Sequence, residues 1–438
     1  MRKKGILAME DDEIRGDGIV VDEPVAESDL TGTTDEAEAV AEVEEVGDTV
    51  VAESEEADEA VAVIDDIDEV RENVEAAVET EGGVSEGEAR GLDLAVEGML
   101  NKLGVHGPRA RVFYGTKERK PGLEEFKTPE ARLQFNKLAL EAIGETVKKA
   151  WAALLTKLEG IYDAVVAFIK ALLNGTKQLE IRANLLKKQA IAKKGGTTAE
   201  SVSTKKFGSY LADGSKVVTG AQLVSAINGL GKDAAINFDY GSAATKANAA
   251  IVGLLDAQGK PDAAELIKKS TSDFSDVMNA DAASLLGGAK EHDLPLGNAK
   301  LVTSGGGEDG SLPTVTLKSA GGTVEETAPG LSSEEAVAVV DAVLANLKKF
   351  AAYESQSGKI SASLKQLTSR VKTAMSKQSK EEADSVAAAR AAVREIAAAK
   401  GLYVHTQTLV RSYDLKTSKA ALDYVAASLS GAGKPAKA

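Results

Sequence analysis

Thr128-Pro129-Glu130-Ala131-Arg132-Leu133-Gln134-Phe135-Asn136-Lys137-Leu138-Ala139-Leu140-Glu141-Ala142-Ile143 opens the stretch whose reading decides the fold. Thr128 is suited to cap a helix, Pro129 to the first helical position, where its missing N–H costs nothing, and Glu130 to the positive end of the helix dipole. From there Leu133, Leu140, Ile143, Val147, Trp151, Leu154, Leu158, Ile161, Val165, Phe168, Ile169 and Leu172 recur at steps of three and four. That period predicts a long amphipathic helix ending near Asn174-Gly175. Lys148, Lys149, Lys157, Glu159, Asp163 and Lys170 interrupt the apolar run, so it should not span a bilayer, although residues 143–173 could lie against a membrane or a partner helix.

Outward toward the C-terminus, Leu179, Leu185, Leu186 and Ile191 predict a second helix that finishes in Lys187-Lys188 and Lys193-Lys194 before Gly195-Gly196. Cations there favour the helix C-terminus, and with Lys205-Lys206 they are dense enough to suggest an anionic partner. The section 207–330 changes character. Phe207 to Leu211, Asp213-Gly214 and Val217-Val218 read as a small hairpin. Short helices are expected at 221–229, 243–256, 262–269 and 276–286, with extended pieces at Leu301-Val302-Thr303, Thr314 to Leu317 and Thr323-Val324. The helical period returns with Ser332 and Glu335, spaced as a capping box ahead of Val339, Val340, Val343, Leu344, Leu347 and Phe350. Ile360, Leu364, Leu367 and Val371 mark another helix. A second box, Ser379 with Glu382, should start one through Val386, Val393 and Ile396 that stops at Gly401, and Leu402 to Leu429 supplies the last. The expected fold is mainly α: long amphipathic helices in a bundle, with a small mixed α/β insertion. The expected divisions are 1–97, 98–206, 207–330, 331–430 and a flexible basic tail, 431–438.

Outward toward the N-terminus the chemistry reverses. Residues 1–97 carry 33 Asp and Glu against 6 Lys and Arg, a net charge of −27, whereas the remaining 341 residues are net +11. Phe113 is the first aromatic residue of the chain. Charge repulsion and small side chains predict a disordered acidic arm over 1–97, with transient helices in stretches such as Asp58 to Thr80. Such an arm can neutralise a basic body and keep it off nucleic acid until removed or displaced. The sign reverses at Leu94-Ala95-Val96-Glu97-Gly98, and Ala95, Val96, Glu97 and Gly98 form a small-x-Glu-Gly junction that reads as a cleavage site. Ala77-Val78-Glu79 and Ser54-Glu55-Glu56 repeat the small-x-Glu pattern within the arm. Past the junction Arg109, Arg111, Lys117, Arg119 and Lys120 interleave with Phe113 and Tyr114, a pattern suited to backbone contact and base stacking. With Lys187, Lys188, Lys193, Lys194, Lys205 and Lys206 they are the candidate nucleic-acid-binding residues.

Composition narrows the function. With 43% apolar but only 4% aromatic residues, the core must be Ala, Val, Leu and Ile, which favours helices. The absence of Cys excludes disulfides, thiolate metal sites and cysteine nucleophiles and fits a reducing intracellular origin. Met1-Arg2-Lys3-Lys4 imitates a secretory signal, but Glu10-Asp11-Asp12-Glu13 ends the apolar run too early. Gly305-Gly306-Gly307-Glu308-Asp309-Gly310 has dinucleotide-loop spacing, yet its acids would repel a pyrophosphate and Pro313 follows where a helix should open. Ser369-Arg370-Val371-Lys372 has penicillin-binding spacing without companion motifs and reads as a helix face. Glu291-His292-Asp293 sets one His between two acids and reads as a solvated loop; His106 and His405 have no acidic neighbours. No catalytic residue, metal or cofactor is expected.

The acidic arm, the small-x-Glu junction and the basic helical body together resemble the internal head proteins of large tailed bacteriophages, particularly the inner-body proteins of phiKZ-like jumbo phages. Phe126 to Leu173, including Arg132-Leu133-Gln134-Phe135-Asn136-Lys137-Leu138-Ala139-Leu140-Glu141-Ala142-Ile143-Gly144-Glu145, looks like the helical segment that follows the propeptide in such proteins. The resemblance covers about the first 175 residues. It implies a non-enzymatic virion structural protein, made in the host bacterial cytoplasm and packed inside the capsid with double-stranded DNA. It further implies an arm trimmed by a prohead protease between Glu97 and Gly98, other head or scaffold proteins as partners, and a mature protein available for ejection with the genome. Ala139-Leu140-Glu141 also fits the protease motif, but a helix there should protect it. Two other readings stand beside this one. The first is a membrane- or partner-binding helical protein with a permanent acidic tail. The second is an injected effector enzyme of unknown reaction with its site in 207–330.

Overall fold

The computed structural model describes residues 34–80, 82–103, 128–194, 198–230, 232–257, 260, 262–305, 312–319, 322–376 and 383–430. The helix start read at Thr128 is present: its Oγ1 accepts from the Ala131 amide at 3.2 Å, with Pro129 opening the helix. That helix, α3, runs unbroken over Pro129–Ala192, so the expected stop near Asn174-Gly175 is absent and the two predicted helices are one element. Gly175 has a packing role instead. A Cβ there would lie 3.2 Å from Leu415 Cδ2 and 3.4 Å from Val43 Cγ2. The glycine costs about 1 kcal/mol of helix propensity, and it lets two neighbouring helices approach.

One of those neighbours corrects the expectation of a disordered arm. Residues 34–80 form a helix, α1 (Thr34–Thr80), lying antiparallel along α3. The reason is a seven-residue repeat. Val43, Val50, Ala57 and Ile64 share one row and Ala60, Ile67 and Val74 a second, all buried. They face rows on α3 with the same spacing: Val147, Leu154, Ile161 and Phe168, and Trp151, Leu158, Val165, Leu172, Leu179 and Leu186. A heptad repeat keeps the apolar seam facing its partner over many turns, as in a coiled coil. Burial of Val40, Val43, Val50, Val63, Ile64, Ile67 and Val74 alone stabilises the seam by roughly 10–20 kcal/mol, at about 1.5–3 kcal/mol per side chain. That is enough to overcome the self-repulsion that composition suggested.

After α1 the chain turns through Gly82 and Gly83, both at positive φ (71° and 94°). Arg132 Nε donates to the Gly82 carbonyl at 3.1 Å, tying the turn to the start of α3. The next helix, α2 (Glu86–Lys102), opens with a complete capping box of Ser85 and Glu88.

The section after α3 holds β1 (Ser201–Ser203), α4 (Gly208–Leu211), β2 (Ala212–Asp213), β3 (Lys216–Val217), α5 (Gly220–Leu230), α6 (Ala234–Asn237), α7 (Tyr240–Asp256), α8 (Ala263–Leu285), β4 (Glu291–Asp293), β5 (Ala299–Ser304), β6 (Thr314–Ser319) and β7 (Thr327–Pro329). The predicted hairpin shrinks to β2 and β3, turning at Gly214 (φ 64°), while Gly208–Leu211 is a helical turn that follows Phe207. The helices expected at 262–269 and 276–286 are one, α8. The last extended piece is Thr327–Pro329 and not Thr323-Val324. It pairs antiparallel with β1, Val202 opposite Ala328. β4, β5 and β6 form an antiparallel sheet with His292 opposite Leu301 and Leu301 opposite Leu317.

The C-terminal quarter supplies the centre of the molecule. α9 (Ser333–Leu347) begins with the predicted Ser332–Glu335 capping box, and α10 (Phe350–Ser376) and α11 (Ala383–Lys400) follow. The second predicted box, Ser379 with Glu382, lies outside the described residues. Gly401 does not end the chain's helical path. A π-helical turn, Gly401–His405, carries α11 directly into α12 (Thr406–Ser430). α12 is buried on nearly every side, against α1, α3 and α9. One hydrophobic cluster extends from Val40 to Leu429, so the acidic helix and the C-terminal helices share a core.

Candidate functional site

Four acids of α1 meet cations of the body in series. Near its first turn, Arg182 Nη1 lies 2.8 Å from Glu36 Oε1 and 2.8 Å from Asp423 Oδ1, with all three side chains at most 7% exposed. Burial pushes the Glu36 carboxyl above the usual range, and the Arg182 guanidinium pulls it part of the way back. Further along, Glu44 pairs with Lys416 of α12 at 2.7 Å and Glu56 with Lys157 of α3 at 3.0 Å. Asp65 Oδ1 accepts from Arg394 Nε of α11 at 2.8 Å. From Glu36 to Asp65 the pairs extend over about 44 Å at 1.5 Å of rise per residue. Each surface pair is worth about 0–1 kcal/mol. Their effect is therefore to fix register and to neutralise cations of the body, while the apolar seam supplies the stability. The opposite face of α1 exposes Glu38, Glu42, Glu45, Asp48, Glu59, Asp66, Glu69, Glu72 and Glu79 to solvent.

The predicted cleavage residues sit within α2. Ala95 and Gly98 are exposed, Glu97 is half-buried and Val96 is fully buried. A protease that reads extended backbone must first open this helix. α2 buries only Ala89, Asp93, Val96 and Leu100, so it opens more cheaply than α1.

The predicted nucleic-acid-binding residues divide three ways. Arg109, Arg111, Lys117, Arg119 and Lys120 lie outside the described residues. Lys187 pairs with Asp341 at 2.6 Å, Lys194 approaches Glu334 at 3.9 Å, and Lys193 closes the end of α3 while its Nζ donates to the Leu429 carbonyl at 2.5 Å. Lys188, Lys205 and Lys206 extend into solvent. The cations that sequence inspection missed, Arg182, Lys157, Lys416 and Arg394, are scattered in the chain and are collected only by the packing of α1.

His292, expected in a solvated loop, stands in the middle of β4 with Nε2 2.7 Å from Asp233 Oδ2. Asp233 is already engaged, its Oδ1 accepting from the Ala235 and Ile236 amides at the start of α6. The contact therefore ties the small sheet to the helices. Among the described residues no three or more His, Asp and Glu side chains converge as metal ligands, and no helix is long and apolar enough to cross a membrane. A cleft of about 240 Å³ between α1 and α12 is bordered by Glu44, Asp48, Tyr210, Leu317, Ser412 and Lys416.

Beneath that surface, α12 carries polar side chains into the core. The Arg411 guanidinium lies 3.0 Å over the Tyr353 ring, and Asn346 Nδ2 donates to Asp414 Oδ1 at 2.5 Å. Burial lifts the Asp414 carboxyl to about 6, with Asn346 and Arg411 opposing the rise, and pushes the Tyr240 and Tyr413 phenols well above their usual range. On α11, Glu395 is lifted by burial to about 8, opposed by the Thr271 hydroxyl of α8.

These features define a helical protein whose conspicuous chemistry is the pairing of its own acidic and basic segments. Residues 35–427 match the family model of the phiKZ-like phage internal head proteins, and the chain belongs to that family. No curated protein and no solved structure matches it. Family membership places the protein in the virion head. The match begins one residue into α1, so the acidic helix is part of what the family model describes.

Proposed function

We propose that this internal head protein is a non-enzymatic component of the virion interior. It is made in the host cytoplasm with its acidic segment in place, and a prohead protease cuts it between Glu97 and Gly98. Its basic body then associates with packaged DNA and accompanies the genome at ejection. The observation that carries the reading is the row of ion pairs from α1 to Arg182, Lys416, Lys157 and Arg394. While α1 is seated, these cations are paired with its carboxylates and the whole chain is net −16; from Gly98 onward the body alone is net +11. DNA binding by counterion release needs cations free to meet phosphates.

The test compares protein recovered from mature virions with the full-length precursor in a double-stranded DNA binding assay over a salt series. The mature form should bind more tightly, with affinity falling steeply as salt rises. Equal affinities for the two forms would contradict the proposal. In the precursor the alternative of membrane or partner binding through 143–173 has less support, because Ile143, Val147, Trp151, Leu154, Ile161 and Phe168 are buried, in part by α1 itself; release of α1 would uncover that part.

A further inference from the structure

The small-x-Glu triplets of the acidic segment, among them Ser54-Glu55-Glu56, Ala57-Asp58-Glu59, Ala77-Val78-Glu79 and Ala95-Val96-Glu97, have different settings. Glu97 lies mid-way in α2. Glu79 is one residue from the end of α1, beside the Gly82-Gly83 turn, and Glu56 lies in mid-α1 with its side chain 63% exposed and held only by the surface pair to Lys157. A cut after Glu97 breaks the backbone and leaves untouched the contacts that seat α1: the seam from Val40 to Val74 and the buried Glu36–Arg182–Asp423 cluster. We propose that the cut after Glu97 severs the acidic segment without releasing it, and that release requires further cuts within α1, at the adjacent triplets ending in Glu56 and Glu59 and at the one ending in Glu79.

The argument is one of cooperativity. As a single piece, the segment loses its translational and rotational freedom once, and every contact of the seam counts against that one loss. Cut at Glu56 or Glu59 and at Glu79, the contacts are divided. Val40, Val43 and Val50 go with one fragment, Val63, Ile64, Ile67 and Val74 with the next, and Val96 of α2 with the third. Each fragment must then meet the association cost alone. Each is also a short, highly acidic peptide that forms little helix when detached, so rebinding carries an ordering cost as well. After those cuts Arg182, Lys157, Lys416 and Arg394 lose their carboxylate partners on α1. The inference rests on the reading of Glu97-Gly98 as a maturation site, and its test separates the two.

Two experiments decide it. In the first, the full-length chain carries a recognition sequence for an unrelated specific protease inserted after Leu103, beyond α2. After complete cutting, the N-terminal piece should co-elute with the body in size-exclusion chromatography at both low and molar salt, because the seam is apolar. Separate elution in native buffer overturns the proposal, whatever the maturation protease does. In the second, wild type and an E56Q/E59Q/E79Q triple variant are digested with the prohead protease. Wild type should lose the acidic segment from the body that starts at Gly98, and the triple variant should keep it in at least tenfold greater amount. Equal loss from both overturns the proposal. If neither chain is cut after Glu97, the maturation reading fails while the first experiment still decides retention.

Discussion

Replacing Glu395 by Gln should make the protein more stable at neutral and alkaline pH and change little in acid. Glu395 is 3% exposed and its folded-state pKa is lifted from 4.5 to about 8 by burial. The folded state thus holds a proton that the unfolded state has given up over the whole window from about 4.5 to 8. Stability therefore falls as pH rises through that window and levels off above it. At 1.36 kcal/mol per unit, the wild-type decline between pH 5 and pH 8 that belongs to this group is about 3 kcal/mol. Gln keeps the shape and carries no charge at any pH, so that part of the decline should vanish. Urea titrations of both proteins at pH 5, 6.5 and 8, followed by circular dichroism, measure it. The two stability curves should diverge progressively with pH, the variant lying above by about 3 kcal/mol more at pH 8 than at pH 5. Curves that stay parallel would refute the assignment of Glu395 as a buried, protonated carboxyl.

Three further outcomes are expected. Arg182→Met leaves the buried Glu36 and Asp423 carboxylates without their shared guanidinium; breaking a buried pair in this way costs about 3–5 kcal/mol, and hydrogen exchange should show residues 36–60 losing protection first. Gly330→Ala should destabilise by at least about 1–3 kcal/mol, the range for overpacking, because the new Cβ would fall 1.7 Å from the Ala199 carbonyl oxygen beside the β1–β7 pair; a thermal melt within a degree of wild type would show that the backbone there yields freely. Replacing the exposed Lys188, Lys205 and Lys206 by Ala should leave the urea midpoint unchanged. In the mature protein it should flatten the slope of log affinity for DNA against log salt by about 0.9 for each lysine that contacts a phosphate, and an unchanged slope would remove these residues from the interface.

The mainly helical class, the Thr128 start, the Ser332 box and the extended pieces at Leu301-Val302-Thr303 and Thr314 to Leu317 were legible because each rests on local chemistry: a cap, a period, a run of β-branched residues. Two kinds of feature were not. Residues 34–80 read as disordered because charge and missing aromatics were weighed ahead of the seven-residue row through Val43, Val50, Ala57 and Ile64, the signal that predicts a long helical seam. The stops placed at Gly175 and Gly401 failed because a glycine also serves close helix approach, and because the π turn keeps the backbone bonded past Gly401. The family was readable from the charge reversal and the region from Phe126 to Leu173. The cationic seat was not, since Arg182, Lys157, Lys416 and Arg394 are brought together by tertiary packing alone, and α12, polar along its length, gives no sequence sign of its central position.

The most direct measurement is the N-terminus of this protein in mature virions, by intact mass and terminal peptide sequencing of DNA-filled heads. The account predicts a body beginning at Gly98. A protein that still begins at Met1 in mature heads would contradict it and make the acidic helix a permanent part of the packaged molecule.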